Sequence, residues 1–206
     1  SFDIVTTVRN VDDPFDGTLG GAPNDLSPAD YKFVELNIIC DTCKNFTPLA
    51  FTTSVAPKNL ESASTNGALF VRVFDANGQP ISGANVHIEN NAAVPAIVID
   101  DTTNTAGMLQ IVDAPPGVNV YEITVTKSGY STERTYQPGA PSNPNPVKPH
   151  ATVAIQQVTQ VSFAIDRVST VEASSVTNIC AAVPSINFSM SGSKLIGTTP
   201  DVLKYS

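Results

Sequence analysis

The chain has no tryptophan, only two histidines, and only 11 Lys and Arg among its 206 residues. Charged residues make up 15% of it, well under the roughly 25% of an average soluble protein. Each shortage excludes something. With 19 Asp and Glu the formal net charge is −8, and Lys and Arg never cluster. The cationic patch that displaces counterions from phosphates is missing, so no nucleic acid is expected as a partner. No apolar run approaches the roughly 18 residues of a spanning helix, so no membrane span is expected in this chain. Blocks rich in Ala, Leu, Glu and Lys are missing too, which leaves little for helices. The chain opens at Ser1-Phe2-Asp3 without an initiator Met or a leader-like segment, which reads as a mature or excised piece.

Ser, Thr, Asn and Val fill the composition, together with 16 Pro and 12 Gly. β-branched residues pack on pleated sheets while Gly and Pro set turns, so the expected class is all-β. FDIVTTVRNV (2–11) alternates like a strand, and a loop dense in Gly, Pro and Asp follows it. YKFVELNIICDTC then alternates again, with Val34, Leu36, Ile38 and Cys40 on a wholly apolar parity that is expected to face a core. PLAFTTSV is a third strand candidate, and APKNLESASTNG reads as a linker. Residues 1–60 are thus expected to form a small β domain containing the Cys-x-x-Cys motif.

From Gly67 the pattern sharpens. LFVRVFD places Leu69, Val71 and Val73 on one face, and ANVHIEN places Val86 and Ile88 inward. Between them Asn77-Gly78 tolerates positive φ, which predicts a β-hairpin. AIVIDDTTNTAG, MLQIVDAPPG and VYEITVTKSGYSTERTY follow at a spacing of about 8–12 residues, which predicts a β-sandwich over residues 67–136. QPGAPSNPNPVKPH (137–150) holds five prolines and reads as a stiff, extended Pro-rich linker, a spacer or an ordered arm rather than a folded element. Residues 151–206 carry further strands, read as the start of another module or as an arm that pairs with a neighbour.

Three signatures in residues 67–136 belong together: D-x-N-G-x-P-hydrophobic-x-G-A from Asp75, T-x-x-x-G-hydrophobic from Thr103 to Met108, and Y-x-I-x-V-x-K-x-G-Y from Tyr121 to Tyr130. This pattern resembles the carboxypeptidase regulatory-like domain, an Ig-like, transthyretin-like β-sandwich. The whole chain also resembles large surface proteins of uncultivated, small-genome bacteria, which carry such modules in tandem. The resemblance implies a non-catalytic, extracellular, cell-surface location. It also implies self-association or contact with neighbouring modules of the same surface protein.

Catalytic chemistry finds little footing. A zinc peptidase needs imidazoles and a carboxylate at fixed spacing, and His87 and His150 sit in different segments. Glu89 stands at the wrong offset from His87 for an H-x-x-E pair. In the similar hydroxyisourate hydrolases a first-strand His is used; the equivalent position here holds Arg72. The Lys–Asn crosslinks of some adhesin sandwiches need a first-strand Lys, and Val73 stands there.

The cysteines leave three readings open. Cys40 and Cys43 close on each other as a disulfide, or one of them bonds Cys180; the thiols stay unpaired; or they hold a metal, for which a fourth ligand is missing. Two acidic loops offer oxygens to calcium, which takes about six to eight: Asp12, Asp13 and Asp16 in VDDPFDG, and Asp100, Asp101, Thr103 and Asn104 in IDDTTNTAG. Neither matches an EF-hand. Asn45-Phe46-Thr47 and Asn187-Phe188-Ser189 fit the N-glycan acceptor pattern. The leading expectation is a structural or adhesive module of a cell-surface protein or fibre. The INFSMSG strand near the end is expected to add to a neighbour's sheet edge. The alternative is a module binding a surface glycan, with Tyr130 and Tyr136 as the stacking residues.

Overall fold

The computed structural model describes residues 2–40, 42–43, 46–56, 65–172, 174–183, 187, 194–198 and 203–204. Among them the chain is all-β, and no helix is long and apolar enough to cross a membrane. Most of the expected 56–66 linker and most of INFSMSG lie outside the described residues.

β1 (Asp3–Val11), β2 (Tyr31–Ile39) and β3 (Leu49–Val55) form an antiparallel sheet in that order. The rest is a sandwich. One layer runs β10 (Ala151–Val153), β8 (Gly117–Thr126), β5 (Asn85–Asn90), β6 (Ile97–Thr102), with β9 (Glu133–Arg134) also paired to β8. The other layer runs β11 (Val158–Ala164), β4 (Gly67–Phe74), β7 (Met108–Ala114). β12 (Leu195–Gly197) and β13 (Leu203–Lys204) pair with each other. Period-two alternation sends Leu69, Val71 and Val73 of β4 against Val86 and Ile88 of β5 and Ile123 and Val125 of β8, all buried. Tyr121 is also buried, and its hydroxyl donates to the Pro115 carbonyl at 2.6 Å, so the ring's polar tip is satisfied.

Four expectations change. The 69–90 stretch is not a two-stranded hairpin: β4 and β5 lie in opposite layers. The turn is tight, with Asp75 Oδ1 accepting from the N–H groups of Asn77 and Gln79 at 2.9 Å each and Gly78 at φ 75°. Ile81 N–H donates to the Val73 carbonyl at 3.0 Å, and there the pairing ends. Thr103 takes over at this corner. Its buried hydroxyl donates to the Ile81 carbonyl at 2.6 Å and accepts from Ala84 N–H at 3.0 Å, so the chain turns into the second layer without leaving those groups unpaired. Meanwhile the edge of β4 that a hairpin would have used is met by Gly107, whose carbonyl accepts from Val73 N–H at 2.7 Å. Gly107 has φ 69°, and a Cβ there would lie 2.5 Å from the Val73 oxygen; glycine is needed on both counts.

Second, the sandwich does not end at residue 136. β11 lies parallel to β4 in register from Val158↔Ala68 to Ala164↔Phe74, and Phe163 and Ile165 are fully buried in the common core. Residues 151–165 therefore complete this module rather than begin another. A parallel pair needs a long crossover, and local alternation carries no trace of which distant strand it will join.

Third, the 137–150 segment, expected as a spacer or an ordered arm, links no second module: it is an arm lying on the sandwich. Tyr136 N–H donates to the Lys148 carbonyl at 2.9 Å, His150 N–H to the Tyr136 carbonyl at 3.0 Å, and Asn143 is buried.

Fourth, the apolar parity of β2 covers no core. Leu36 is exposed, and Val34 and Ile38 are only half-buried. Among the described residues nothing is stacked on these three strands, so water reaches that face.

Candidate functional site

Two features of the first unit stand out. Register places Ile4, Ile38 and Leu49 in one row, Thr6, Leu36 and Phe51 in the next, and Val8, Val34 and Thr53 in a third. A fourth row holds Asn10, Lys32 and Val55. These positions share a face because side chains alternate along each strand. The face contains no acidic residue in a chain of net charge −8. Ile4, Val8, Phe51 and Val55 are each more than half exposed. β3, at the end of the sheet, is exposed along its whole length, and among the described residues its outer edge is unpaired. β1 at the other end lies beside β7, and Arg9 pairs with Asp101 at 3.6 Å. Behind it a cleft of about 480 Å³ runs between the two units, lined by Val5, Thr7 and Arg9 on one wall and Ile99, Asp101 and Ile111 on the other.

The β1–β2 loop is the second feature. One carboxylate oxygen from each of Asp13, Asp16 and Asp30 lies within 4.8 Å of the other two. The fold brings Asp30 in by its own backbone, which donates to the Val11 carbonyl at 3.0 Å, and by its carboxylate, which accepts from Asp13 N–H. Asp12 accepts from Leu19 N–H at 2.9 Å through Oδ2, and Asp25 from Ser27 N–H at 2.7 Å through Oδ1. Burial raises the Asp12 carboxyl above its usual range. The Leu19 hydrogen bond opposes this, and Asp25, Asp30 and Asp16 repel its charge further. Asp30 is raised the same way, by burial against the Asp13 N–H, with Asp16, Asp13 and Asp25 adding repulsion. Asp13 and Asp16 were legible as candidates. Asp12, the third candidate, lies outside the group, and Asp30 was not legible, although residues 12–30 hold five Asp and no Lys or Arg. That imbalance was the available signal.

The other candidates separate. Cys40 and Cys43 form a disulfide with Cα atoms 5.4 Å apart, and Cys180 is an exposed free thiol. Tyr130 and Tyr136 are half-buried, and cations approach both rings: Lys127 and Arg167 over Tyr130 at 5.5 Å each, Arg134 over Tyr136 at 5.1 Å. In the second acidic loop the four residues turn to different partners. Asp100 meets His87, Asp101 meets Arg9, Thr103 holds the corner, and Asn104 accepts from Ala106 and Met108 N–H groups. Arg72 is on the exposed side of β4. Of the acceptor sites for glycans, Asn187 is exposed, while Asn45 lies outside the described residues.

His87 sits between Asp100 and Glu89, with Nδ1 2.6 Å from Asp100 Oδ1 and Nε2 2.9 Å from Glu89 Oε1. The hydrogen bond to Asp100, then that to Glu89, raises its pKa above the usual 6.5. His150 is buried in the arm, and burial lowers its pKa. The two imidazoles therefore belong to different environments and build no common centre. Glu133 is buried, paired with Lys194 and 3.9 Å from Lys148. Burial brings the Lys148 ammonium down to about 8. Its Nζ donates to the Ser162 carbonyl at 2.7 Å and lies 4.3 Å from the Phe163 ring centroid. These contacts tie the arm and the segment preceding β12 to the sandwich.

No protein-family model matches this chain, and no curated protein sequence matches it. Among solved structures, the chain is similar to the major pilin subunit of Bacillus cereus, with 16% identity over 67% of this chain and 38% of that one, at a TM-score of 0.35. It is similar to the Bacillus anthracis TIE protein at 11% identity, over 81% and 34% of the two chains, with a TM-score of 0.37. It is also similar to hydroxyquinol 1,2-dioxygenase from Pseudomonas putida DLL-E4 at 11% identity, over 52% and 58%, with a TM-score of 0.35. The chain spans less than two thirds of the length of each. At this level of likeness neither a pilin's role nor a dioxygenase's chemistry carries over.

Proposed function

We infer that the chain is a non-catalytic, extracellular structural module of a cell-surface protein or fibre. It packs against a neighbouring copy through the open β1–β2–β3 face. The observation that carries this reading is the row-by-row apolar face described above, exposed on a chain otherwise rich in polar side chains. Water contact with Ile4, Leu36, Leu49 and Phe51 is unfavourable, and a second apolar face would remove it. A basic partner is disfavoured because the face offers no carboxylate, only Lys32. A like face suits it better.

Size then decides the kind of contact. Three strands about 4.8 Å apart and seven residues of about 3.4 Å each give a footprint of roughly 350 Å². That is under half of the roughly 800 Å² per partner in a standard stable interface. Free copies are thus expected to associate weakly. Tandem or fibre-bound copies, at effective concentrations reaching the millimolar range, are expected to stay in contact.

Sedimentation velocity across roughly 0.01–1 mM protein tests this. The expected result is reversible association at the upper end of that range, lost in Leu36→Lys/Phe51→Lys. Both side chains are exposed, so the variant keeps its strand signal in circular dichroism. A wild-type chain that stays monomeric throughout refutes the reading, as does association that survives both substitutions. The glycan-binding alternative would use Tyr130 and Tyr136; with cations already over both rings, no observation favours it.

A further inference from the structure

We propose that the outer edge of β3 pairs with β3 of a second copy, antiparallel about Thr52, so that two three-stranded sheets continue as one. The inference rests on the reading that neighbouring copies associate, but it uses a surface that the face contact leaves free. Among the described residues β3 is the long edge without protection. Its seven residues, LAFTTSV, include no charge, no proline and no glycine, and all are exposed. Its pairing with β2 runs through seven consecutive residues without a register shift. A regular, uncharged edge with free N–H and C=O groups is a template for another strand.

The other edges of the fold are blunted. β6 carries Asp100 and Asp101 and begins two residues after Pro95. β7 shifts register against β4, with Asp113 in the left-handed region at φ 62°. β10 is three residues long, and β9, β12 and β13 are no longer than that. β11 is met by the arm, whose Lys148 donates to the Ser162 carbonyl. β1 lies beside β7, with Arg9 paired to Asp101. Charge, irregularity, shortness and cover keep sheet edges from pairing, and among the described residues β3 has none of them.

The occupant is a second copy because LAFTTSV is complementary to itself. Turned antiparallel about Thr52, two such strands set Leu49 opposite Val55, Ala50 opposite Ser54, Phe51 opposite Thr53, and Thr52 opposite its own copy. Aromatic with β-branched and Thr with Thr are favourable cross-strand pairs, and no like charges meet. Directly opposite residues point to the same side of a sheet, so the two apolar faces lie side by side. The joined face doubles the roughly 350 Å² of one sheet to roughly 700 Å². That approaches the roughly 800 Å² per partner of a standard stable interface. Edge pairing thus supplies the area that a single face lacks.

The test is disulfide trapping in the full chain, with Cys180→Ser removing the exposed free thiol. Directly opposite residues have Cβ atoms about 4.5–5.5 Å apart, near the reach of a disulfide. Under a copper–phenanthroline oxidant, Thr52→Cys is expected to form dimers on a non-reducing gel. The rate should be roughly tenfold or more above that of Val118→Cys, at an exposed site on β8, because pairing holds the two sulfurs at high effective concentration. Ala50→Cys alone should not be trapped, since its two copies lie four residues apart along the strands, about 14 Å. Mixed with Ser54→Cys, it should be. All three positions on β3 are exposed, so these variants keep the fold. Trapping of Thr52→Cys no faster than Val118→Cys overturns the proposal. So does trapping of Ala50→Cys alone, which marks a parallel or unregistered contact. Face-to-face packing leaves positions 50, 52 and 54 on the far side of both sheets. A chain that associates in sedimentation without this trapping pattern therefore loses the edge contact and keeps the face. The pattern together with association unchanged by Leu36→Lys does the reverse.

Discussion

Phe163→Ala asks whether residues 151–165 are part of the sandwich. Phe163 is fully buried, opposite Val73 in the parallel β11–β4 pair, and one face of its ring meets the Lys148 ammonium at 4.3 Å. Truncating a buried Phe to Ala costs about 3–5 kcal/mol through lost transfer energy and the cavity left behind. Losing the cation contact adds about 0.5–2 kcal/mol. The sandwich from Gly67 to Ile165 is about 100 residues, for which the unfolding entropy is about 0.2 kcal/mol per kelvin. The two together, about 3.5–7 kcal/mol, should lower the melting temperature by about 17–35 °C. The urea midpoint should fall with it at unchanged slope, because the surface exposed on unfolding stays the same. Ile155→Ala, at a side chain 55% exposed in the same stretch, should change the unfolding free energy by no more than about 0.5 kcal/mol. A drop of less than about 5 °C for Phe163→Ala, worth about 1 kcal/mol, would refute the single-core reading. A separate second transition that alone responds would refute it too.

Two further outcomes follow from named contacts. Thr103→Val keeps the shape of the corner but leaves Ala84 N–H and the Ile81 carbonyl without their hydroxyl partner, and should cost about 2–4 kcal/mol in a urea titration. Thr103→Ser should restore most of that, and a loss below about 1 kcal/mol in the valine variant would show that the corner does not depend on the hydroxyl. His87 is held above its usual pKa by Asp100 and Glu89. Its contribution to stability is therefore complete below about pH 6.5 and is lost as pH rises through the folded value. The melting temperature of the wild type should fall more steeply than that of His87→Gln between about pH 6 and pH 8. Parallel curves would remove the histidine from the account.

How much of this was legible depends on how local each signal is. Alternation in LFVRVFD and ANVHIEN identified inward residues that are indeed buried, because strand period two follows from backbone geometry alone. The turn at Asn77-Gly78 was equally local. Its consequence was not: whether a tight turn closes a hairpin or carries the chain between layers depends on what else reaches the edge of β4. Gly107, Thr103 and β11 all compete there from elsewhere in the sequence. The acidic loop divides the same way. Asp13 and Asp16 are close in sequence, whereas Asp30 joins them only when the loop folds back toward β2.

By itself, then, the sequence determined the all-β class, the strands of the 67–136 stretch with their buried faces, and the lack of any Lys and Arg cluster. These rest on side-chain chemistry and short-range periodicity. Tertiary structure alone decided that β11 closes the sandwich beside β4, that the proline arm lies on the sandwich, and that the apolar parity of β2 faces outward. In each case the physical reason is the same. An apolar face specifies that something should cover it, but only the three-dimensional packing of distant segments determines whether this chain supplies the cover.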